Sequence, residues 1–188
     1  VTIEDLAFRS DHIIKNEIGI VEDQMARNRI DLIHGEARFV APHRLLVQQA
    51  GVSADHHAHV IIIAVGTVPT RPADIPFDGQ TIIDTDGLLT LKHLPTSMVI
   101  VGGGVIGTEY ASILGMIGVP VVLIDKRPRL LEFVDAQIID SLQQQMTEIG
   151  VTLYHEEEVV SIRKESDGQV TVSLAHRPPI TATTLMYA

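Results

Sequence analysis

Three glycines between a strand-like run and a helix-like run are the residues with the clearest chemistry. Gly102, Gly104 and Gly107 have GxGxxG spacing, directly after Met98–Val101 and at the start of a predicted helix over Val105–Ile117. In such a loop the first glycine permits a tight turn, the second lets the backbone approach a pyrophosphate, and the third lets the helix lie close to the sheet. The helix N-terminus adds unpaired N–H groups and a positive dipole end. The spacing therefore predicts a dinucleotide site, although packing alone can also require glycines in a turn.

An acidic residue follows at the distance that such a site requires. Asp125 ends the next apolar run, 23 residues after Gly102, where a carboxylate can accept hydrogen bonds from the adenosine ribose hydroxyls. This position favours NAD(H), because a carboxylate repels a 2′-phosphate. Lys126 and Arg127 come next, and adjacent cations can offset that repulsion. We therefore hypothesise that the site accepts NAD(H) and NADP(H), the alternative being a solvated charge cluster.

The elements around these residues alternate between strands and helices. Strands are predicted over Met98–Val101, Val119–Ile124 and Val151–Tyr154, with helices between them over Val105–Ile117 and from Asp135, the expected N-cap, to Ile149. This alternation predicts an α/β fold with a parallel sheet and right-handed crossovers, a Rossmann-like domain. A small antiparallel excursion and a returning strand are predicted from three further runs: Val159–Lys164, Gln169–Leu174 and Ile180–Tyr187.

The first part of the sequence has a different pattern. A helix is predicted from a cap at Thr2 to about Asn28, and the strand candidates that follow are Ile30–His34, Glu36–Val40, Arg44–Gln48 and His59–Val65. The last is a continuous apolar run, which is typical of a strand buried on both faces. Thr67–Gln80 contains three prolines and no periodic apolar pattern, so a domain boundary is predicted near residue 80.

Composition excludes several classes of function. A formal charge of -10 argues against a nucleic-acid binder, which needs a basic face. Without cysteine there is no disulfide, thiolate metal site or redox cysteine pair in this sequence. No apolar run is long enough to cross a bilayer and the first residues are not a signal peptide, so we expect no membrane partner and a cytoplasmic location. The histidines at 56, 57 and 59 lack metal-site spacing, and Glu156–Glu158 is interpreted as a solvated acidic loop.

Several motifs together resemble one known family. Gly102–Glu109, preceded by Leu91–Pro95, is similar to the NAD(P) domain of the two-dinucleotide-binding-domain flavoprotein reductases, which include dihydrolipoamide dehydrogenase and glutathione reductase. Ile63–Pro69 resembles the family's "ATG" segment, with Val65 in place of its threonine. The segments that also fit, several of them most similar to the transhydrogenase branch, are Gly35–Phe39, Val105–Ser112, Leu123–Arg127, Arg129–Asp135 and Leu185–Ala188.

The resemblance implies a parent flavoenzyme that moves hydride between NADPH and NAD⁺ through FAD. Residues 1–80 would then be a partial FAD-binding segment, and residues 81–188 the NAD(P)-binding domain inserted into it. Gly66 would lie near the adenosine side of the flavin nucleotide. The parent would be a homo-oligomer through a C-terminal domain outside this chain. The chain alone would bind dinucleotide weakly and contain no complete catalytic centre.

The same resemblance suggests roles for four residues around the glycine loop. Glu109 matches a glutamate near the nicotinamide that pairs with a lysine outside this chain, the alternative being a solvated helix residue. Val105 replaces a tyrosine that covers the flavin in many relatives, and Ile106 belongs to the same cofactor-binding turn. Val160 falls near an adenine contact, although plain core is the alternative.

Three other functions remain open. One is the NAD(P)-binding domain of a dihydrolipoamide dehydrogenase-like reductase, and another is a non-catalytic nucleotide-sensing domain. A different adenosyl-cofactor enzyme, such as a methyltransferase, fits the glycine loop but not the flanking motifs.

Overall fold

The computed structural model describes residues 3–188, so the predicted cap at Thr2 lies outside the described residues. The chain divides into two compact units, one of them Arg9–Thr67 and the other built chiefly from Val68–Ala188. None of the described helices combines the length and the apolar character needed to cross a membrane.

The smaller unit contains an antiparallel meander. Helix α1 (Ile3–Arg27) precedes strands β1 (Glu36–Ala41), β2 (Arg44–Gln49) and β3 (Val52–His57), which pair in the order β1-β2-β3. Ala50 and Gly51 join β2 to β3 with positive φ angles, as the two-residue hairpin turn requires. The sequence patterns did not predict β3, because its residues are mostly polar or small and lack apolar alternation.

Two predicted strands of this unit are wrong. Ile30–His34 and His59–Val65 have no regular structure, and Val60, Ile62, Ile63 and Val65 are largely exposed. A strand needs a neighbour for its backbone N–H and C=O groups, and the meander ends at β3 without pairing with this run. Apolar composition alone was therefore not sufficient to make 59–65 a strand.

A five-stranded parallel sheet forms the centre of the larger unit. The elements in chain order are β4 (Ile82–Asp84), α2 (Thr85–Leu88), β5 (Met98–Val101), α3 (Val105–Met116), β6 (Val121–Ile124), α4 (Ala136–Glu148), β7 (Val151–Tyr154), β8 (Val159–Lys164), β9 (Val170–Leu174), β10 (Ile180–Ala182) and β11 (Thr184–Tyr187). The parallel sheet has the order β4-β11-β5-β6-β7, and β10-β9-β8 form a separate antiparallel sheet. The predicted α/β class, with its antiparallel excursion, is confirmed.

Side chains that alternate along the strands form a core on each face of the parallel sheet. Met98 and Ile100 of β5 pack in the cluster that includes residues of α3 and α4. Val99, the residue between them, packs in the cluster that includes Val170 and Val172 of the antiparallel sheet. The helices therefore cover one face and the antiparallel sheet covers the other, which explains why β5 is apolar at successive positions.

The predicted boundaries of the larger unit are close to the observed ones, with two corrections. Asp135 is the N-cap of α4 and accepts a hydrogen bond from the backbone N–H of Gln137 at 2.9 Å. The strand predicted over Val119–Ile124 begins two residues later, because β6 spans Val121–Ile124. The single strand predicted over Ile180–Tyr187 is two strands in different sheets. They separate at Thr183, which exchanges hydrogen bonds with Ser97 at 2.8–3.1 Å.

Candidate dinucleotide-binding site

A pocket of about 690 Å³ opens at the carboxyl ends of β5, β6 and β11. The connection after β5 runs to β6 on one side, whereas β11 lies on the other side of β5. In open parallel sheets, ligands bind at this reversal of strand order. The lining includes Gly102 after β5, Asp125 after β6 and Tyr187 at the end of β11. The fold thus places a crevice where the glycine loop and the acidic residue meet.

The glycines of the loop differ in what surrounds them. Gly102 has φ +113, and a Cβ there would lie 2.3 Å from the carbonyl oxygen of Ala188. A Cβ on Gly107 would lie 1.9 Å from the carbonyl oxygen of Gly102, so α3 approaches the loop closely only because this residue is glycine. A Cβ on Gly104 would meet no atom within 4 Å. The open space at Gly104 leaves room for a ligand to contact the backbone of the loop.

The sequence pattern did not predict the role of Gly103. A Cβ there would lie 2.5 Å from Cδ2 of Leu130 and 2.8 Å from Oδ2 of Asp125. The GxGxxG pattern treats this position as variable, and the run of three glycines was the only available signal. The residue is buried because the loop packs against the segment that follows β6.

Asp125 is buried, and both oxygens of its carboxylate accept hydrogen bonds from other groups of this chain. Oδ2 accepts the backbone N–H of Gly103 at 2.5 Å and Nη2 of Arg127 at 2.5 Å. Oδ1 accepts the backbone N–H and the Nε of Arg127, both at 2.8 Å. Burial raises the pKa of Asp125, but these hydrogen bonds outweigh it and leave the pKa below its ordinary value. The carboxylate therefore ties the glycine loop to the end of β6.

Backbone hydrogen bonds hold the segment after β6 against the segment after β7. The N–H of Asp125 donates to the carbonyl of Tyr154 at 2.9 Å, and its carbonyl accepts from Glu157 at 3.2 Å. The N–H of Glu156 donates to the carbonyl of Arg127 at 3.2 Å. These hydrogen bonds hold the backbone at the rim of the pocket in place. We therefore expect ligand binding to change the side-chain conformations there and not the backbone.

Glu157 corrects the interpretation of the acidic run as a solvated loop. It is 2% exposed, accepts the backbone N–H of His176 at 2.9 Å, and its Oε2 lies 3.4 Å from Nε of Arg177. The Arg177 guanidinium in turn stacks 4.2 Å from the ring centroid of Tyr154. The carboxylate is buried because it has these partners, whereas Glu156 and Glu158 are exposed.

Lys126 and Arg127, the two cations after Asp125, differ in exposure and in ion pairing. Both line the pocket. Lys126 is exposed and forms no ion pair within the part of the chain that the structure describes. Arg127 is half-buried on its carboxylate partner, which raises its pKa. The interpretation of both residues as one solvated cluster therefore does not hold for Arg127.

The remaining predicted site residues of this unit fall into three groups. Val160 lines the pocket and is 66% exposed, so the plain-core alternative is wrong for it. Val105 and Glu109 line a separate, mainly apolar groove of about 360 Å³ that also involves Leu131 and Leu142. Gly104, Ile106 and Gly107 lie on the loop and the first turn of α3. They line neither the pocket nor the groove.

Gly66 lies in the smaller unit, at the end of the exposed run. It has φ +69, and a Cβ there would meet no atom within 4 Å. Its predicted contact with a flavin nucleotide stays a prediction. Among residues 3–188, no cluster of three or more potential metal ligands is close enough to hold an ion, the histidines at 56, 57 and 59 included.

The chain matches the pyridine nucleotide-disulphide oxidoreductase family over residues 3–188 and belongs to it. Among its relatives is the soluble pyridine nucleotide transhydrogenase of Mycobacterium tuberculosis (strain ATCC 25177 / H37Ra), which is 41% identical over the whole chain. The enzyme of the same name from Colwellia psychrerythraea is 36% identical, again over the whole chain. The chain spans about 40% of the length of each of these relatives.

Solved structures show the same fold. The HOCl-induced flavoprotein disulfide reductase RclA from Escherichia coli is similar with a TM-score of 0.84 at 29% identity, over 97% of this chain and 41% of that one. LpdA from Mycobacterium tuberculosis gives a TM-score of 0.90 over the whole chain and 42% of its own, and at 22% identity it supports the fold alone.

Proposed function

We propose that this chain is the NAD(P)-binding part of an FAD-dependent transhydrogenase, which moves hydride from NADPH to NAD⁺ to give NADP⁺ and NADH. The observation that carries the proposal is the pocket at the reversal of strand order, which is lined by Gly102 and by Asp125–Arg127. The glycine loop that begins at Gly102 has open space at Gly104. Relatives named soluble pyridine nucleotide transhydrogenase, at 41% and 36% identity, favour this reaction within the family.

Several of the predicted site residues have a proposed task in dinucleotide binding. The N–H groups at the start of α3, including those of Val105 and Ile106, would receive the pyrophosphate above Gly104. Val160 would contact the adenine, because its exposed side chain lines the same pocket. Glu109 would lie towards the nicotinamide, in the groove on the other side of the loop. A single extended dinucleotide that crosses Gly104 would connect both places.

The proposed task of this chain is to bind the flavin and the two dinucleotides, and FAD, when bound, would supply the hydride relay between the two nicotinamides. Gly66 would contact its adenosine side, and the small Val105 would leave the nicotinamide-facing side of the flavin open. The residues of this chain orient the dinucleotides and hold their phosphates.

The partial FAD-binding segment proposed for residues 1–80 is supported by the exposed apolar run. Val60, Ile62, Ile63 and Val65 have strand-forming side chains and no strand neighbour in the meander. Further sequence of the flavin domain would supply that neighbour, and the relatives are more than twice as long as this chain. The compact division falls at Thr67–Val68, and the domain boundary near residue 80 stays a proposal. We also propose that the complete enzyme is a cytoplasmic homo-oligomer.

The proposal is tested with the complete protein that contains this chain. FAD content is measured by absorbance, and hydride transfer by the reduction of thio-NAD⁺ with NADPH. We expect FAD-dependent transfer, and we expect Gly104→Val to abolish it while leaving the fold intact, because the new side chain occupies the space of the pyrophosphate. Gly19→Val is the matched control, because Gly19 also has open surroundings and no positive φ but lies outside the loop. Transfer that survives Gly104→Val unchanged would contradict the assignment of the pocket.

A disulfide reductase is the second candidate. It is favoured by the structural similarity to the flavoprotein disulfide reductase RclA at 29% identity. The same purified protein is assayed with NADH or NADPH and a dithiol–disulfide pair such as lipoamide. Disulfide reduction that is faster than transfer to thio-NAD⁺ would favour this candidate over the transhydrogenase.

A further inference from the structure

The carboxylate expected to bind the adenosine ribose has no free acceptor position. A carboxylate offers about four lone-pair sites, and Asp125 fills them with two backbone N–H groups and two N–H groups of the Arg127 guanidinium. A ribose hydroxyl can therefore bond to Asp125 only if the side chain of Arg127 leaves. The two backbone donors, from Gly103 and Arg127, would remain.

Arg127 itself still has donors to offer. Two of its five N–H groups face Asp125, and its side chain is 37% exposed where it lines the pocket. An arginine paired on one edge can hold a phosphate with the N–H groups that remain. Lys126, exposed on the same rim and without an ion pair among the described residues, can add a point charge.

We infer that Arg127 is a selector at the 2′ position of the adenosine ribose: paired with Asp125, it admits a 2′-phosphate directly and must be displaced before a 2′-hydroxyl can bond to that carboxylate. This inference rests on the proposed dinucleotide function and deepens it. The resting site prefers NADP(H), the reverse of what an acidic residue at this position predicts. NAD(H) binds in the same pocket, but only after the side-chain hydrogen bonds between Asp125 and Arg127 are broken.

The other carboxylates of the pocket do not account for such a preference. Glu157 is buried and paired with Arg177, so its charge is compensated. Asp74 and Glu158 are exposed and line the same pocket. Their charges disfavour any phosphate and act on NADH and NADPH in the same direction. If substitution of Arg127 reverses the preference between NADPH and NADH, the cause is therefore the loss of the Arg127–Asp125 pair, which we call the lock, and not a change in overall charge.

The test is titration of the complete protein that contains this chain with NADH, NADPH, ADP-ribose and 2′-phospho-ADP-ribose. In Arg127→Ala we expect the Kd of NADPH to rise about ten- to hundredfold, the range for lost charge-assisted hydrogen bonds. The Kd of NADH falls about two- to tenfold, because Asp125 becomes free to accept the ribose hydroxyls. The two ADP-ribose probes show the same pattern, since they differ only at the 2′ position.

Two further variants separate the lock from charge and from folding. Lys126→Ala is the matched control: NADPH binding weakens and NADH binding does not improve, because Asp125 stays occupied. Arg127→Lys keeps the charge without the bidentate fork. NADH binding improves in it while NADPH binding is largely retained, and the variant also serves if Arg127→Ala does not fold.

The outcomes are distinct. Equal loss of NADH and NADPH binding in Arg127→Ala and Arg127→Lys, in protein that folds normally, would overturn the selector while leaving the proposed function in place. A complete wild-type protein that is folded and binds neither dinucleotide would overturn both.

Discussion

Two apolar runs of similar composition have opposite fates in this molecule. In β5, Val99 and Ile100 are completely buried. In the run at 59–65, Ile62 and Val65 are 85% and 87% exposed. β5 has a parallel neighbour on each edge and a packed layer on each face, whereas the other run has no regular structure. Side-chain hydrophobicity favours burial only where the rest of the fold provides backbone partners and cover.

The two runs lie in regions with different proposed roles. β5, which is completed within the chain, leads into Gly102 at the pocket proposed to bind a dinucleotide. The run that is not completed ends at Gly66, in the segment proposed to belong to a flavin domain. All three tyrosines, at positions 110, 154 and 187, lie in the larger unit, and the chain has no tryptophan. Tyrosine fluorescence therefore reports on the folding of that unit.

The largest difference is expected between two glycines. Gly107→Ala places a Cβ about where the carbonyl oxygen of Gly102 lies, so we expect a loss of more than about 4 kcal/mol in the free energy of unfolding. Gly66→Ala meets no atom within 4 Å, and the strain of an alanine at its φ of +69 falls in the smaller unit. The tyrosine-monitored urea transition of the larger unit should therefore be unchanged. A Gly107→Ala variant as stable as wild type would mean that α3 does not approach the loop as described.

A second contrast compares the apolar runs directly. Ile100→Ala removes fully buried methylene and methyl groups and should lower the free energy of unfolding by about 2–5 kcal/mol. Ile62→Ala changes an exposed side chain and should alter it by less than about 0.5 kcal/mol. Urea denaturation measures the first variant by tyrosine fluorescence and the second by far-UV circular dichroism, which reports on both units. Comparable losses in the two variants would show that the run at 59–65 is buried.

The third prediction concerns acid stability and is the smallest effect. The pKa of Asp125 is lower in the folded chain than the value of about 3.9 expected when unfolded, so the carboxylate stabilises the fold above that pH. This contribution is lost as the pH falls from about 4 through the folded-state pKa. Asp125→Asn should therefore be less stable than wild type at neutral pH, with a difference that shrinks on acidification. A difference that stays constant down to pH 2 would contradict the assignment of the shift to this carboxylate.

The sequence predicted the parts of the larger unit that depend on local patterns. β5, β7, β8 and the N-cap at Asp135 follow from apolar runs and capping chemistry, and the structure has them where predicted. The split at Thr183 could not be predicted, because its cause is a set of hydrogen bonds with Ser97, distant along the chain.

The chemistry of the site was predicted less completely than its location. The pattern indicated the glycine loop and Asp125, and the fold brings Gly102, Asp125, Lys126, Arg127 and Val160 to one pocket. The hydrogen bonds that the Asp125 carboxylate accepts depend on the side-chain conformation of Arg127 and on how closely Gly103 approaches. Burial of Glu157 likewise depends on Arg177, which arrives from the loop between β9 and β10. Spacing in the sequence does not encode such contacts.

NMR titration of the ¹⁵N-labelled chain with NADPH is the most direct test of the central claim, that the dinucleotide binds at the carboxyl ends of β5, β6 and β11. We predict saturable amide shifts at Gly104 and Ile106, in the segment Asp125–Arg127, and at Val160. Shifts confined to the α3 groove around Ser112 and Ile113, or no saturable shift in a folded chain, would contradict it.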